Sequence, residues 1–206
     1  MKNLSKLIGA IMLVIALSIP QSAISDGHSL KVLGWGAKSG PLKSFGVNSE
    51  AALRSAVAEI NAAGGVRMGD GSMAPMEVVG YEDSACKKDE AIAILRKTAS
   101  TTDAIVGMGT TCSGVCQAMF GVLQKKRGDS SDSGVQMPIL ADTCIRPGLA
   151  KISDWAFRNV PNEITMYDEL FKWIRTAYPN VKTFTGGSET DQGHSFITYT
   201  AIIVQM

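Results

Sequence analysis

Small polar residues follow a short apolar run in the middle of the chain. Residues 104–106 are typical of a buried strand of a parallel sheet. Thr111, Cys112 and Ser113 come shortly after them, where an apolar period of a helix begins. The open amides at a helix start, together with the positive end of the helix dipole, bind carboxylates and phosphates. The pattern therefore predicts a strand, a polar loop and a helix N-terminus that can hold a small anion.

The four cysteines of the chain follow predicted strands or begin the helix after one of them. In an exported protein, an even number of cysteines on converging loops indicates two disulfides. A bond between Cys112 and Cys116 is disfavoured, because cysteines four apart on a helix rarely reach disulfide geometry. We expect Cys86 to pair with Cys112, and Cys116 to pair with Cys144.

Two other uses of the cysteines are weaker hypotheses. A C-x3-C pair with two isolated cysteines lacks the paired short spacing of structural zinc sites, so we expect no metal site. Cys112 at a helix N-terminus could be the nucleophile of an exported thiol enzyme, with His28 or His194 as its base. Gly107-x-Gly109 is a poor dinucleotide fingerprint, because Cys112 stands where the third glycine belongs. We therefore expect neither catalysis nor a cofactor.

Charge and composition narrow the class of partner. The chain has 206 residues, of which 45% are hydrophobic and 19% charged, and its formal net charge is +1. Removing residues 1–25, which contain two lysines and no acid, changes that charge to −1. This balance gives no support to nucleic acid or to an anionic membrane surface as a partner.

The first 25 residues are typical of an export signal. Lys2 and Lys6 precede the apolar stretch 7–19, and small residues at 23 and 25 offer a cleavage site. A membrane anchor is the alternative, but the apolar stretch is shorter than the roughly 20 residues that a spanning helix needs. We expect a cleaved signal peptide and a mature protein in the periplasm.

The rest of the chain alternates between predicted strands and helices. The strands are expected at residues 30–35, 76–81, 104–106 and 138–141. The helices are expected from Asn48 or Ser49 to Gly64, after Asp89, and from about Val115 to Arg127. This alternation predicts an α/β fold with an open, mostly parallel sheet and helices on both faces. Ligands of such sheets collect outside the carboxyl ends of the strands.

Several segments resemble the branched-chain (Leu/Ile/Val) amino-acid-binding proteins, the type I periplasmic solute-binding subunits of ABC importers. These segments are Ser39-Gly40-Pro41, Phe45-Gly46, residues 58–66, Tyr81-Glu82-Asp83, Ile105-Val106-Gly107, Ser113-Gly114-Val115 and Phe157-Arg158 with Pro161. The resemblance extends from about residue 30 to about residue 193. It implies the type I periplasmic-binding-protein fold and an amino acid or small carboxylate bound between two lobes. It also implies the importer's membrane subunits as partners, no enzymatic activity, and a monomer when full length.

The resemblance further implies which residues contact the ligand. Ser113 and the neighbouring amides would hold the α-carboxylate, Thr143 would bind the ligand ends, and Phe45 would pack on the ligand side chain. The complete predicted set is Phe45, Thr111, Cys112, Ser113, Ala141, Asp142, Thr143 and Gln192. The family's disulfide corresponds to Cys86 with Cys112. The charges of Asp142 and Arg146, and the second cysteine pair, depart from the family pattern.

The chain is short for such a protein. Residues 163–177 predict an amphipathic helix and residues 181–184 a strand, which together would begin a second lobe. Family members continue through a full second lobe, whose acid binds the ligand's amino group, and this acid has no counterpart here. We expect a signal peptide at 1–25, a nearly complete ligand-binding lobe at 26–160 and an incomplete second lobe at 161–206. A ligand-sensing module of the same fold is the alternative to an importer subunit.

Overall fold

The computed structural model describes residues 29–183 of the chain. Strands and helices alternate along it, as the sequence predicts. The elements are β1 (Leu30–Gly36), α1 (Lys43–Ala62), β2 (Val66–Arg67), β3 (Met73–Ala74), β4 (Met76–Asp83), α2 (Lys88–Thr101), β5 (Val106–Met108), α3 (Ser113–Gly121), β6 (Ile139–Ala141), a 3₁₀ turn (Leu149–Lys151), β7 (Ala156–Arg158) and α4 (Glu163–Ala177).

Five strands form one parallel sheet in the order β4-β1-β5-β6-β7. Parallel neighbours cannot be joined by tight hairpins, so longer connections carry the chain between them. These connections contain α-helices except between β6 and β7, where a 3₁₀ turn lies. The predicted α/β class with a parallel sheet is therefore confirmed. Strand β7 was not predicted, and the turn-rich segment before β4 contains the short antiparallel pair β2–β3.

The two faces of the sheet are covered by different helices. Successive side chains of a strand point to opposite faces. Leu33 and Trp35 of β1 accordingly pack in a cluster with residues of α2 and α3. Val32 packs on the other face with Leu53 and Val57 of α1. This arrangement confirms the prediction of helices on both faces.

Helix α1 begins at Lys43, and the predicted start at Asn48 or Ser49 is wrong. The Lys43 amide donates to the Gly40 carbonyl at 3.2 Å, and Gly40 has a φ of 72°, so a turn at Gly40 leads directly into the helix. Glycine adopts this left-handed conformation without steric cost. As a result Phe45, Asn48 and Ser49 lie within the first two turns of α1.

The elements on either side of the central polar loop are also displaced from their predicted positions. β5 covers Val106–Met108 and not residues 104–106. α3 ends at Gly121, so Arg127 lies beyond it. The reason is tertiary: Leu123 forms a parallel bridge with Val135, and the Gln124 amide donates to the Val135 carbonyl at 3.0 Å. This pairing overrides the local helical period.

Helix α4 covers Glu163–Ala177, as predicted, and Asn162 caps it by accepting from the Thr165 amide at 3.2 Å. Residues 181–183 are not in a strand. The rest of that predicted strand, Gln192, His194, His28 and the predicted signal peptide lie outside the described residues. Between residues 29 and 183, no helix combines the length and the apolarity needed to cross a membrane.

Candidate ligand-binding site

A cavity of about 420 Å³ lies beside the carboxyl ends of β5 and β6. Its walls come from the start of α1, the end of β5 and the loops after β6 and β7. The lining residues are Ser44, Phe45, Asn48, Ser49, Ala52, Met108, Asp142, Thr143 and Asn159. This volume is in the range of small-molecule sites, and the carboxyl ends of parallel strands are where such sites form. Three predicted ligand contacts, Phe45, Asp142 and Thr143, line it together.

Asp142 is the buried charged group of this cavity, with 9% of its surface exposed. The Thr143 hydroxyl lies 3.3 Å from Asp142 Oδ1. Among the residues that the structure describes, no lysine, arginine or histidine forms an ion pair with it. Burial raises the pKa of Asp142, and hydrogen bonds from the hydroxyls of Ser49 and Thr143 oppose that rise.

The Tyr81 side chain lies close enough to this carboxyl group for its charge to act on it, and it was not among the predicted ligand contacts. It is 8% exposed, and within the described part of the chain its hydroxyl has no hydrogen-bond partner of good geometry. Burial raises the pKa of Tyr81, the negative charge of Asp142 raises it further, and a hydrogen bond with the Ser49 hydroxyl opposes the rise. A β-carbon on Gly36 would lie 2.6 Å from the Tyr81 hydroxyl and 3.0 Å from Thr111 Oγ1. Glycine at position 36 therefore lets these two side chains approach β1.

The hydroxyls of Thr111 and Thr143 connect the loops around the cavity. Thr143 Oγ1 lies 3.1 Å from the carbonyl oxygens of both Thr110 and Thr111, to which it can donate. Thr111 Oγ1 accepts from the Ala37 amide at 2.9 Å. The loops after β1, β5 and β6 are thereby joined at one edge of the sheet. The Thr143 oxygen keeps its capacity to accept from a ligand.

Ala141, another predicted contact, is fully buried and does not line the cavity. Its carbonyl oxygen accepts from the Asn159 amide at 3.2 Å. Ala141 thus positions Asn159, which does line the cavity. Its predicted contact with a ligand remains a prediction.

The start of α3 has the predicted form of an anion site but lies outside the lining of this cavity. Cys112 occupies the N-cap position, and its carbonyl accepts from the Cys116 amide at 2.9 Å. The amides of residues 113–115 therefore precede the first helical hydrogen bond. The half-buried Ser113 accepts from the Arg146 amide through Oγ at 3.3 Å, and its hydroxyl hydrogen can still be donated.

The predicted disulfide between Cys86 and Cys112 is confirmed, with a distance of 5.9 Å between the two Cα atoms. It joins the loop after β4 to the start of α3. A cysteine in a disulfide has no thiolate, so Cys112 cannot be the nucleophile of a thiol enzyme in this state. In the region 29–183, no three metal-ligating side chains come close enough to hold an ion.

The predicted second disulfide is wrong, because Cys116 and Cys144 are free, buried thiols. The loop after β6 directs Cys144 Sγ at the Thr110 carbonyl, to which it donates at 2.9 Å. The contact between the two thiols is consequently a hydrogen bond and not a covalent bond. This contact raises the pKa of Cys116, and burial raises it further.

The chain matches no family model and no curated protein, but its fold matches solved structures. One is the branched-chain amino acid transporter substrate-binding protein of Streptococcus pneumoniae in complex with isoleucine, with 22% identity, a TM-score of 0.56, and 72% of this chain and 38% of that chain covered. A second is a putative branched-chain amino acid ABC transporter from Rhodospirillum rubrum, with 22% identity, a TM-score of 0.60 and coverage of 86% and 47%. A third is an ABC transporter solute-binding protein of Rhodopseudomonas palustris in complex with 3,4-dihydroxybenzoic acid, with 13% identity, a TM-score of 0.63 and coverage of 86% and 44%.

These likenesses are between folds, since the identities are low. The chain has the type I periplasmic-binding-protein fold, and it spans less than half the length of these solved chains. All three are named as transport proteins, and two of them carry a small molecule with a carboxyl group.

Proposed function

We propose that this chain is the ligand-binding part of an exported substrate-binding subunit of an ABC importer. Its ligand is an amino acid or a related small carboxylate. The observation that carries the proposal is the cavity at the carboxyl ends of β5 and β6, on a fold shared with solute-binding proteins. Phe45 meets Asp142 and Thr143 in that cavity although it lies far from both in sequence.

The open start of α3 supports a carboxylate as the recognised group. A negatively charged oxygen there would accept from the amides of residues 113–115 and from the Ser113 hydroxyl, and the helix dipole would favour it. Phe45, with 51% of its surface exposed, offers an apolar wall for the rest of the ligand. A carboxylate attached to an apolar body is the chemistry that both features fit.

Capture by two lobes follows the mechanism of this architecture, in which a hinge closes the lobes over the ligand. The described residues supply the wall formed by α1, the sheet edge and the start of α3. This wall contacts one side of a ligand, so by itself it is expected to bind with a dissociation constant of about 1 mM, or about −4 kcal/mol.

The protein works without catalysis and without a cofactor, and its partners are the membrane subunits of the importer. The Cys86–Cys112 disulfide supports an oxidising compartment such as the periplasm. It also removes the thiol on which an exported thiol enzyme would depend.

Ligand-observed NMR with the purified chain tests the proposal, because this method detects millimolar binding. The probes are leucine, isoleucine and 3,4-dihydroxybenzoate. Ser113→Ala removes a hydrogen bond to a charged group, so we expect binding of the best probe to weaken about 10- to 100-fold. Ser113→Thr keeps the hydroxyl and should weaken it less.

Ser100→Ala is the matched control, because Ser100 is exposed on α2 and donates only to the Lys97 carbonyl of its own helix. Unchanged binding in Ser113→Ala would place the carboxylate elsewhere. If no amino acid and no aromatic carboxylate binds, the proposed function is wrong.

A further inference from the structure

We propose that a groove on the edge of the sheet opposite the ligand cavity binds an extended acidic peptide segment of a partner protein. The groove consists of two adjoining cavities of about 420 and 380 Å³. Residues 104 and 134–137 line it just before β5 and β6, so it lies at the amino ends of these strands. The ligand cavity lies at their carboxyl ends, and a partner in the groove would leave it open. This interaction is additional to solute capture.

The two cavities form one groove because Arg96, Gly134 and Val135 line both of them. Helix α2 contributes Arg96, Ala99 and Ser100, which are three and four positions apart and therefore share one face of the helix. The chain after α3 and the segment before β6 contribute the rest. Two cavities side by side fit an extended chain better than one compact molecule.

The floor of the groove is apolar and held in place by the fold. Leu123 and Met137 are buried there, and Val135 is half-buried. The Val135 amide donates to the Val122 carbonyl, and the Val135 carbonyl accepts from the Gln124 amide, both at 3.0 Å. The floor therefore needs little ordering when a partner binds, which lowers the cost of association.

Positive charge lies along the groove. Arg96 is exposed where the two cavities join, and among residues 29–183 no ion pair or hydrogen bond engages its guanidinium group. Lys125 adds a second cation, whose ammonium group donates to the Gly121 carbonyl at 2.7 Å. The carboxylate of Asp132 in the same lining already accepts from the amides of Lys125 and Gly134, at 2.7 and 2.8 Å. Arg96 thus keeps its capacity to bind a carboxylate through two parallel hydrogen bonds.

These features define the chemistry of the partner segment. It carries a carboxylate at its centre, which meets Arg96, and apolar side chains on either side, which fill the two cavities. A basic segment would bring like charges towards Arg96 and Lys125, which is unfavourable. An uncharged segment would gain the apolar contacts alone.

The probe is the hexapeptide Leu-Leu-Glu-Glu-Leu-Leu, amidated and labelled with a fluorophore at its N-terminus. The same peptide with two glutamines in place of the glutamates is the uncharged comparison. Fluorescence anisotropy measures the binding of each to the purified chain. We expect the acidic peptide to bind about tenfold more tightly than the uncharged one, and Arg96→Gln to weaken it about tenfold. Raising the salt concentration from about 50 to 500 mM should also weaken it, because the charge pair lies at the surface.

Lys97→Gln is the matched control, since it removes a positive charge from the next position of α2, outside the lining of both cavities. Ala99→Glu is a second variant within the groove, and it should weaken the acidic peptide by placing a competing carboxylate one turn from Arg96. Thermal unfolding confirms that each variant is folded.

Three results would overturn the proposal: equal binding of the two peptides, equal weakening by Arg96→Gln and Lys97→Gln, or no binding of the acidic peptide at about 1 mM protein. Tight binding of the acidic peptide that Arg96→Gln leaves unchanged would also overturn it, because the peptide would then bind elsewhere. Leucine binding, measured by NMR on the same proteins, should be the same in the wild type and in Arg96→Gln. Failure of this proposal therefore leaves the proposed function standing.

Discussion

The indole ring of Trp35 lies against Gly107 and fills the space that a β-carbon on Gly107 would need. Trp35 is fully buried on β1, and Gly107 lies on the neighbouring strand β5. The indole Nε1 donates to Met119 Sδ of α3 at 3.0 Å. One side chain thus joins two central strands to the helix whose start is the proposed carboxylate site.

Gly107→Ala is therefore expected to destabilise the protein. The added methyl group would overlap the Trp35 ring, and the core would have to shift at a cost of about 1–3 kcal/mol. Thermal unfolding measures the effect. Gly69→Ala is the control, because a β-carbon at Gly69 meets no atom within 4 Å. Equal melting temperatures for the two variants would mean that Trp35 does not pack on Gly107.

Loss of the Cys86–Cys112 bond is expected to lower stability by about 3–4 kcal/mol. The two residues are 26 positions apart, and the chain-entropy model gives this value for a loop of that length. Cys86→Ser can be compared with the wild-type chain in denaturant, with and without a reducing agent. The reducing agent should destabilise the wild type and have no further effect on Cys86→Ser. A reducing effect in the variant would reveal a second disulfide.

Thiol titration is expected to find the two free thiols of Cys116 and Cys144 after denaturation without reduction. In the native state both should react slowly. They are buried, and the raised pKa of Cys116 leaves little of the reactive thiolate. Ellman's reagent measures both rates, and peptide mapping identifies the modified residues. Absence of free thiols in the denatured chain would show that these two cysteines are bonded.

Asp142→Asn is expected to stabilise the ligand-free protein at neutral pH. Burial raises the pKa of Asp142, so the folded state binds this proton more tightly than the unfolded chain does. Ionised Asp142 therefore lowers stability above its folded pKa, and the loss disappears as the pH falls towards the unfolded value of 3.8. Each 1 kcal/mol gained would raise Tm by about 2–4 °C in a chain of this size.

Melting curves of wild type and Asp142→Asn across this pH range test the prediction. The gain in Tm should be largest at neutral pH and should vanish below pH 3.8. Neighbouring groups do not produce this pattern. Burial raises the pKa of Tyr81 above the pH range of the melting curves. Hydrogen bonds from Lys38 and Arg54 lower the pKa of Glu50 in the wild type and in Asp142→Asn alike. A gain that is independent of pH would mean that Asp142 is not ionised when buried.

Local sequence patterns were enough to predict several features of this protein. Hydrophobic periodicity predicted the α/β class, the strand β1 and the bounds of α4. These predictions succeed because a buried strand or an amphipathic helix needs its apolar residues at a fixed spacing, wherever the element packs. The convergence of strand-end loops placed the cysteines at one edge of the sheet, and the resemblance to the solute-binding proteins implied the pairing of Cys86 with Cys112.

The positions at which elements begin, end and meet depend on contacts between distant parts of the chain. Asn48 and Ser49 have the composition of a cap, yet the turn at Gly40 starts α1 earlier and moves both into the cavity wall. α3 stops early because Leu123 pairs with Val135, a partner that local periodicity cannot reveal. The effect of Asp142 on Tyr81 depends in the same way on chain segments that are distant in sequence. Burial and hydrogen bonding are settled only when the loops return to one edge of the sheet.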